Sequence, residues 1–253
     1  MDKNRKETLE AFKEKIRGKL IVSCQVLPGE PLYSEQNSVM GQMAQAAQMA
    51  GAAAVCAGSV TDIQLIKKET SLPVIGLIKK QYPGYDICMT PTMAEVDQLY
   101  AAGADVIAAD STVARRGDGL GADDFLRQIH EKYPNVLLMA NISSFEEGLE
   151  AWMAGADILG ITLNRHIDRD GALKAPDIRL VHQLAQTVDL PVIGAGGIQT
   201  PDQARQMLEA GAFSVIVGSA ITRPQEIAAR FVAAMENKDL KAGSIISPER
   251  SVH

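Results

Sequence analysis

Short apolar runs alternate along this chain with longer stretches whose apolar residues recur every three or four positions. The first pattern predicts strands and the second predicts helices. Strands are expected over 20–26, 53–57, 73–79, 106–110, 136–142, 158–162, 191–194 and 214–217. Helices are expected between them, over 38–50, 60–69, 92–102, 123–132, 145–154 and 176–188, with another opening at 201 and a last one over 224–236. Gly51 and Gly103 close two of these helices, and Ser144 caps another. The phrase Ala-Gly-Ala recurs at 102–104, 154–156 and 210–212, each time after a helix and before a strand. An alternation of this kind belongs to parallel α/β proteins. Eight units with a repeated junction favour a closed single-domain (β/α)8 barrel over an open doubly wound sheet.

The stretch 190–220, LPVIGAGGIQTPDQARQMLEAGAFSVIVGSA, carries the clearest local signal. One apolar run ends in Gly196-Gly197. Thr200 then caps a helix with Pro201 at its first position. The next apolar run ends in Gly218-Ser219. Small residues at two successive strand ends let backbone N–H groups approach a ligand closely. In a (β/α)8 barrel the loops after strands seven and eight commonly hold phosphate, through oriented N–H groups. Gly196, Gly197, Gly218 and Ser219 are therefore expected to bind phosphate. Arg223, just beyond, could add charge or cap the last helix.

Composition narrows this reading. The chain has 253 residues, close to one barrel domain. The opening run over 1–19 is charged and amphipathic. It lacks the apolar core of a signal peptide and reads as a helical extension before a barrel over 20–236. The segment 237–253 has no apolar period and reads as a tail. No run approaches the length of a membrane span. The formal charge of −6 argues against general nucleic-acid binding. Cys24, Cys56 and Cys88 lack metal-ligand spacing, and no metal is expected. Cys24 and Cys56 read as buried thiols, and the cytoplasm is the expected compartment.

In a barrel the reacting groups sit at the C-terminal ends of the strands. Strand one offers Ser23 and Gln25, and strand three ends at Lys79, with Lys80 after it. Strand four offers Asp110, followed by Thr112, Arg115 and Arg116. Strand five offers Asn141 and Ser143; strand six offers Thr162, Asn164, Arg165 and His166. Lys79 is the first catalytic candidate: a partly desolvated amine can shuttle protons or form a Schiff base. Its other reading is an ion-paired rim residue. Asp110 could orient Lys79, bind a hydroxyl or act as a base, or merely cap a loop. Arg116 could clamp an anion from a loop.

Several runs resemble a known family. They are LIVSCQVLPGEPLYS (20–34), PVIGLIKKQYPG (73–84), TPTMAEVDQLYAAGADVIAAD (90–110), ISSFEEGLEAWMAGADI (142–158) and AFSVIVGSAITRPQEIAARF (212–231). They resemble N-acetylmannosamine-6-phosphate 2-epimerases, over most of 20–231. The resemblance implies a TIM barrel that uses neither metal nor organic cofactor. It also implies a phosphorylated amino-sugar substrate, inversion of the carbon bearing the acetamido group, and a place in sialic acid catabolism. A homodimer is a possible assembly. Lys79 falls on the family's catalytic lysine and Asp110 on its strand-four Asp. Ser23 and Gln25 fall on its strand-one Ser and Gln; Asn141, Thr162 and Arg116, from their places at and beyond the strand ends, are also expected to bind substrate. Gly196, Gly197, Gly218, Ser219 and Arg223 fall in its phosphate-binding region.

The departures are central. The family's strand-seven Ala-Glu-Gly-Arg becomes Gly194, Ala195, Gly196 and Gly197, so its acid/base Glu falls on Ala195. Its strand-two Ile-Arg-Ala-Asn becomes Val55, Cys56, Ala57 and Gly58. Its strand-five Asp becomes Asn141, and Ser-Gly-Tyr after strand six becomes Asn164, Arg165 and His166. Epimerisation next to a carbonyl needs one group to remove a proton and another to return it. Lys79 would need a partner such as Asp110 or His166. Three readings follow: an epimerase with a substitute acid/base, an isomerase or Schiff-base lyase on another phosphorylated sugar or keto acid, or a non-catalytic phosphosugar-binding protein.

Overall fold

The computed structural model describes residues 3–34, 38–114, 116, 119–161 and 175–236. Eight parallel strands close into one barrel in chain order. They are β1 (Leu20–Cys24), β2 (Ala54–Ala57), β3 (Val74–Gly76), β4 (Val106–Asp110), β5 (Leu137–Ile142), β6 (Ile158–Ile161), β7 (Val192–Gly194) and β8 (Ser214–Val217). Around them lie α2 (Met40–Met49), α3 (Val60–Glu69), α4 (Met93–Ala101), α5 (Ala122–Lys132), α6 (Phe145–Met153), α7 (Ile178–Thr187) and α8 (Pro201–Glu209). The helix α1 (Lys3–Ile16) precedes the barrel; α9 (Ser219–Thr222) and α10 (Pro224–Met235) follow β8.

The helix starts follow from local chemistry. Thr92 with Glu95, Ser144 with Glu147 and Thr200 with Gln203 form reciprocal capping boxes, and Pro201 opens α8. The Ala-Gly-Ala junctions work as expected: Gly103, Gly155 and Gly211 take φ of 82°, 93° and 109°, which ends each helix in the left-handed region.

Successive strand residues face opposite sides. Ile21, Cys56, Ile75, Val106, Leu137, Met139, Ile158 and Ile193 share a buried cluster in the barrel interior. Val22, Cys24, Val55, Ile107, Leu138 and Leu159 belong to the cluster between strands and helices. The two buried cysteines thus face different layers. Burial pushes the Cys24 thiol up to about 12 and raises Cys56 as well. Leu9, Phe12 and Ile16 of α1 join the interior cluster, so α1 closes the bottom of the barrel.

Charge also fixes α1 there. Arg5 Nε lies 3.2 Å from Asp157 Oδ1, whose carboxylate is fully buried at the start of β6. Arg5 Nη1 lies 2.7 Å from His130 Nδ1 on α5, and His130 Nε2 lies 3.0 Å from the carbonyl of Gly155. A guanidinium only donates, so Nδ1 must accept and Nε2 carries the proton. His130 is therefore neutral. Burial and the Arg5 charge lower its pKa to about 4, while burial raises Asp157 to about 6.

One expectation changes. The third strand ends at Gly76, not at 79, because the chain leaves the sheet for a hairpin-like excursion. The expected residues Thr162, Asn164, Arg165, His166 and Arg115, and the tail over 237–253, lie outside the described residues.

Candidate active site

Above the interior cluster, the same alternation turns Ser23 of β1, Gln25 just past it, Asp110 of β4 and Asn141 of β5 inward. One residue past the strand ends, Ala195 after β7 and Gly218 after β8 continue it. Ser23 and Gln25 form one unit, with Gln25 Nε2 donating to Ser23 Oγ at 2.7 Å. A Cβ added at Gly218 would lie 3.4 Å from Ser23 Cβ, so β8 brings Gly218 against β1. Asn141 Oδ1 lies 2.7 Å from where a Cβ on Gly160 would stand, an approach only glycine permits.

Lys79 is held by the excursion between β3 and α4. It pairs with Met89 in an antiparallel bridge, and Lys80 N donates to Cys88 O. Thr90 returns the chain toward α4 with φ of +46°, the one non-glycine with positive φ among the described residues. Its fully buried hydroxyl donates to Ala108 O of β4 at 2.7 Å, and its N–H donates to Ile78 O at 2.7 Å. Asp110 N donates to Met89 O at 3.3 Å. Met89 therefore joins the segment that carries Lys79 to the one that carries Asp110. Lys80 faces away, with Nζ 3.5 Å from Glu95 and 4.7 Å from the Tyr82 ring centre.

Asp110 Oδ1 accepts from Thr112 N at 3.0 Å and Thr112 Oγ1 at 2.7 Å. Oδ2 makes no hydrogen bond among the described residues. Burial raises this carboxyl above its usual range, partly offset by the Thr112 bonds and the Arg116 charge. A raised carboxylate is a better proton acceptor than an ordinary one.

The rim between the loops after β3, β4 and β5 is fixed by two buried carboxylates. Glu147 accepts from Val113 N at 2.9 Å, Ser143 N at 2.7 Å and Ser144 N at 3.1 Å. Glu95 accepts from Tyr82 Oη at 2.8 Å and Thr92 N at 3.1 Å. Arg116, expected as an anion clamp, has another task. Its guanidinium stacks 3.7 Å over Phe125 and donates to Asp110 O at 3.2 Å and Pro91 O at 2.7 Å. It is 4% exposed, a structural tie within the rim.

On the other side of the barrel, β7 and β8 end in the paired small-residue loops. Gly196 and Gly197 take φ of 78° and 70°, successive left-handed residues of the kind that gather N–H groups on one side. Among the described residues, the N–H groups of Gly196, Gly197, Gly218 and Ser219 donate no backbone hydrogen bond. Arg223 is committed elsewhere: Nη2 lies 3.0 Å from Glu30 and Nη1 3.2 Å from Glu226. It ties the β1–α2 loop to α10, a pairing between distant parts of the chain that no local pattern reveals. Among the described residues no cluster of His, Cys, Asp or Glu is arranged to hold a metal ion.

Fold and site together define a (β/α)8 barrel with a lysine and a buried carboxylate across its mouth from an N–H-rich pair of loops. The family described as "Putative N-acetylmannosamine-6-phosphate epimerase" matches residues 40–237. A relative with the corresponding 2-epimerase name, from Caldanaerobacter subterraneus subsp. tengcongensis, is 48% identical over 225 residues, covering 89% of this chain and 94% of the relative. One from Clostridium perfringens is 44% identical over 216 residues, covering 85% and 96%. The solved N-acetylmannosamine-6-phosphate 2-epimerase from Clostridium perfringens superposes with a TM-score of 0.80 at 43% identity, over 88% of this chain and 95% of that one. Thiamine phosphate pyrophosphorylase from Pyrococcus furiosus, at 19% identity and a TM-score of 0.55 over 93% and 99%, shares the fold. The chain belongs to the N-acetylmannosamine-6-phosphate 2-epimerase family.

Proposed function

We propose that this protein interconverts N-acetylmannosamine 6-phosphate and N-acetylglucosamine 6-phosphate by proton transfer at C2, using Lys79 and Asp110. The observation that carries the reading is the backbone link through Met89, which bridges to Lys79 while its carbonyl accepts from Asp110 N. In the closed strand order, β3 and β4 stand across the barrel from β7 and β8. Phosphate on the glycine loops would direct the other end of an open-chain sugar toward the lysine and the carboxylate.

The C2 proton is acidic because C1 is an aldehyde in the open form. Asp110 takes that proton from one face and the electron pair moves into an enolate. The Lys79 ammonium returns a proton to the other face, inverting C2. The opposite direction exchanges the roles, and solvent restores the starting protonation. Ala195, at the position where the family resemblance places a Glu, has no proton to give, and in this reading Asp110 takes the partner's role. Ser23, Gln25 and Asn141 are placed to bind sugar hydroxyls and the acetamido group.

The test is isotopic. Incubation with N-acetylmannosamine 6-phosphate in D2O should place deuterium at C2. Lys79→Met should slow that exchange at least ~10²-fold, the low end of an acid/base contribution. Affinity for phosphorylated ligand should stay near the parent's. Parent-like exchange in Lys79→Met would refute the assignment, and borohydride trapping of substrate on Lys79 would favour Schiff-base lyase chemistry instead.

The same reading extends to assembly and location. Phe231, Val232 and Met235 of α10 are 68%, 53% and 83% exposed, an apolar row suited to a second copy of the chain. No helix among the described residues is long and apolar enough to cross a membrane. A cytoplasmic location fits a phosphosugar substrate and the buried thiols of Cys24 and Cys56.

A further inference from the structure

Four N–H dipoles alone make a weak site for a phosphate monoester, which carries close to two charges at neutral pH. The cation nearest in sequence, Arg223, already faces Glu30 and Glu226. Arg230 lies two turns further along α10 and differs in its surroundings. Its Nη1 donates to Gln199 Oε1, and Gln199 Nε2 donates to Ser219 Oγ at 3.4 Å. Among the described residues Arg230 makes no ion pair. A half-buried guanidinium thus rests on a neutral amide, one side chain away from Ser219.

We propose that Arg230 supplies the positive charge of the phosphate subsite and so makes this mouth select phosphorylated over unphosphorylated sugar. Gln199 holds the guanidinium in place when the site is empty and yields to phosphate oxygens, which accept more strongly than an amide. Arginine suits this task because its fork can meet two phosphate oxygens at once. Position 197 is a glycine where the family resemblance places an arginine, so the loop itself has no cation and α10 provides one. The inference rests on the reading that the glycine loops hold phosphate.

Calorimetric titration of the full chain with N-acetylglucosamine 6-phosphate, with inorganic phosphate and with unphosphorylated N-acetylglucosamine tests it. Arg230→Gln keeps a donor for Gln199 and removes the charge. It should weaken binding of the two phosphorylated probes by about 10-fold or more, the range of a hydrogen bond to a charged group, and leave the weak binding of the neutral sugar unchanged. Arg223→Gln should weaken them much less. Gly218→Asp, which puts a carboxylate among the loops, should abolish phosphate binding. Should Arg230→Gln bind both phosphorylated probes like the parent while Gly218→Asp abolishes binding, the loops hold phosphate and Arg230 is not its cation. Should Gly218→Asp also bind like the parent, phosphate lies elsewhere and both readings fall. A measurement on the parent covers the case in which Arg230→Gln does not fold. Phenylglyoxal should modify Arg230, and inorganic phosphate should suppress that modification, as read by peptide mass; modification indifferent to phosphate overturns the proposal.

Discussion

Replacing His130 with glutamine should change the stability of this barrel by an amount that depends on pH. In the native protein Nδ1 accepts from Arg5, so protonation would set a second cation against the guanidinium. The pKa of His130 falls from 6.5 to about 4, through burial first and the Arg5 charge second. A depressed pKa means that the folded state resists the proton more than the unfolded chain does. The stability it contributes is complete above pH 6.5 and is lost as pH falls toward 4. At about 1.4 kcal/mol per pH unit, the full effect is about 3.5 kcal/mol, of which about 3 kcal/mol is expressed by pH 4. A glutamine there would not titrate, although its amide can still donate to Gly155 O. Asp157 titrates in the opposite sense. Raised to about 6, its carboxyl favours the fold when protonated, and that contribution is lost as pH rises through 6. Its slope largely hides the histidine's in the parent alone, so the informative quantity is the difference between parent and His130→Gln. Urea unfolding at half-unit steps from about pH 7.5 to 4 should show the parent's advantage shrinking by about 3 kcal/mol. An advantage that stays constant across that range would refute the neutral-histidine assignment.

Two further outcomes are expected. Thr90→Val leaves the buried carbonyl of Ala108 without its hydroxyl donor, which costs about 1–3 kcal/mol and, at about 2–4 °C per kcal/mol for a chain this size, lowers the melting temperature by several degrees; an unchanged calorimetric melt would contradict the tie. Phe231→Glu puts a charge into the exposed row on α10 and should convert a dimer to monomer in sedimentation velocity, whereas a parent that already sediments as a monomer removes the homodimer reading.

Much of the barrel is legible because its signals are local. Thr200, Pro201 and Gln203 specify the start of α8 within a single turn, and the Ala-Gly-Ala junctions repeat one local device. The inward placement of Asp110 and Asn141 follows from a two-residue period carried along strands whose apolar partners are unambiguous. The end of β3 is harder to read. The residues 77–79 continue the apolar run, but their partner is Met89, within a turn-rich excursion of no fixed period. The three arginines fail for a related reason. Arg116 and Arg223 look like anion ligands in isolation, and only Phe125 in one case and Glu30 in the other show their tasks. Arg230 sits in an ordinary helical pattern, with nothing nearby in sequence to mark its contact with Gln199.

The buried carboxylates Glu95 and Glu147 act as sutures: Glu147 gathers main-chain donors from two loops, and Glu95 ties Tyr82 to the start of α4. For laboratory evolution they divide the mouth into two kinds of position. Randomising Glu95, Glu147 or Thr90 would mostly yield clones with torn loops. Asn141 belongs with them in part, since its Nδ2 donates to Met89 Sδ at 2.9 Å. Gln25, Gly58 and Ala195 are not tied to the rim in this way. A library confined to those three would vary the shape presented to the sugar while the wall behind it stays in place.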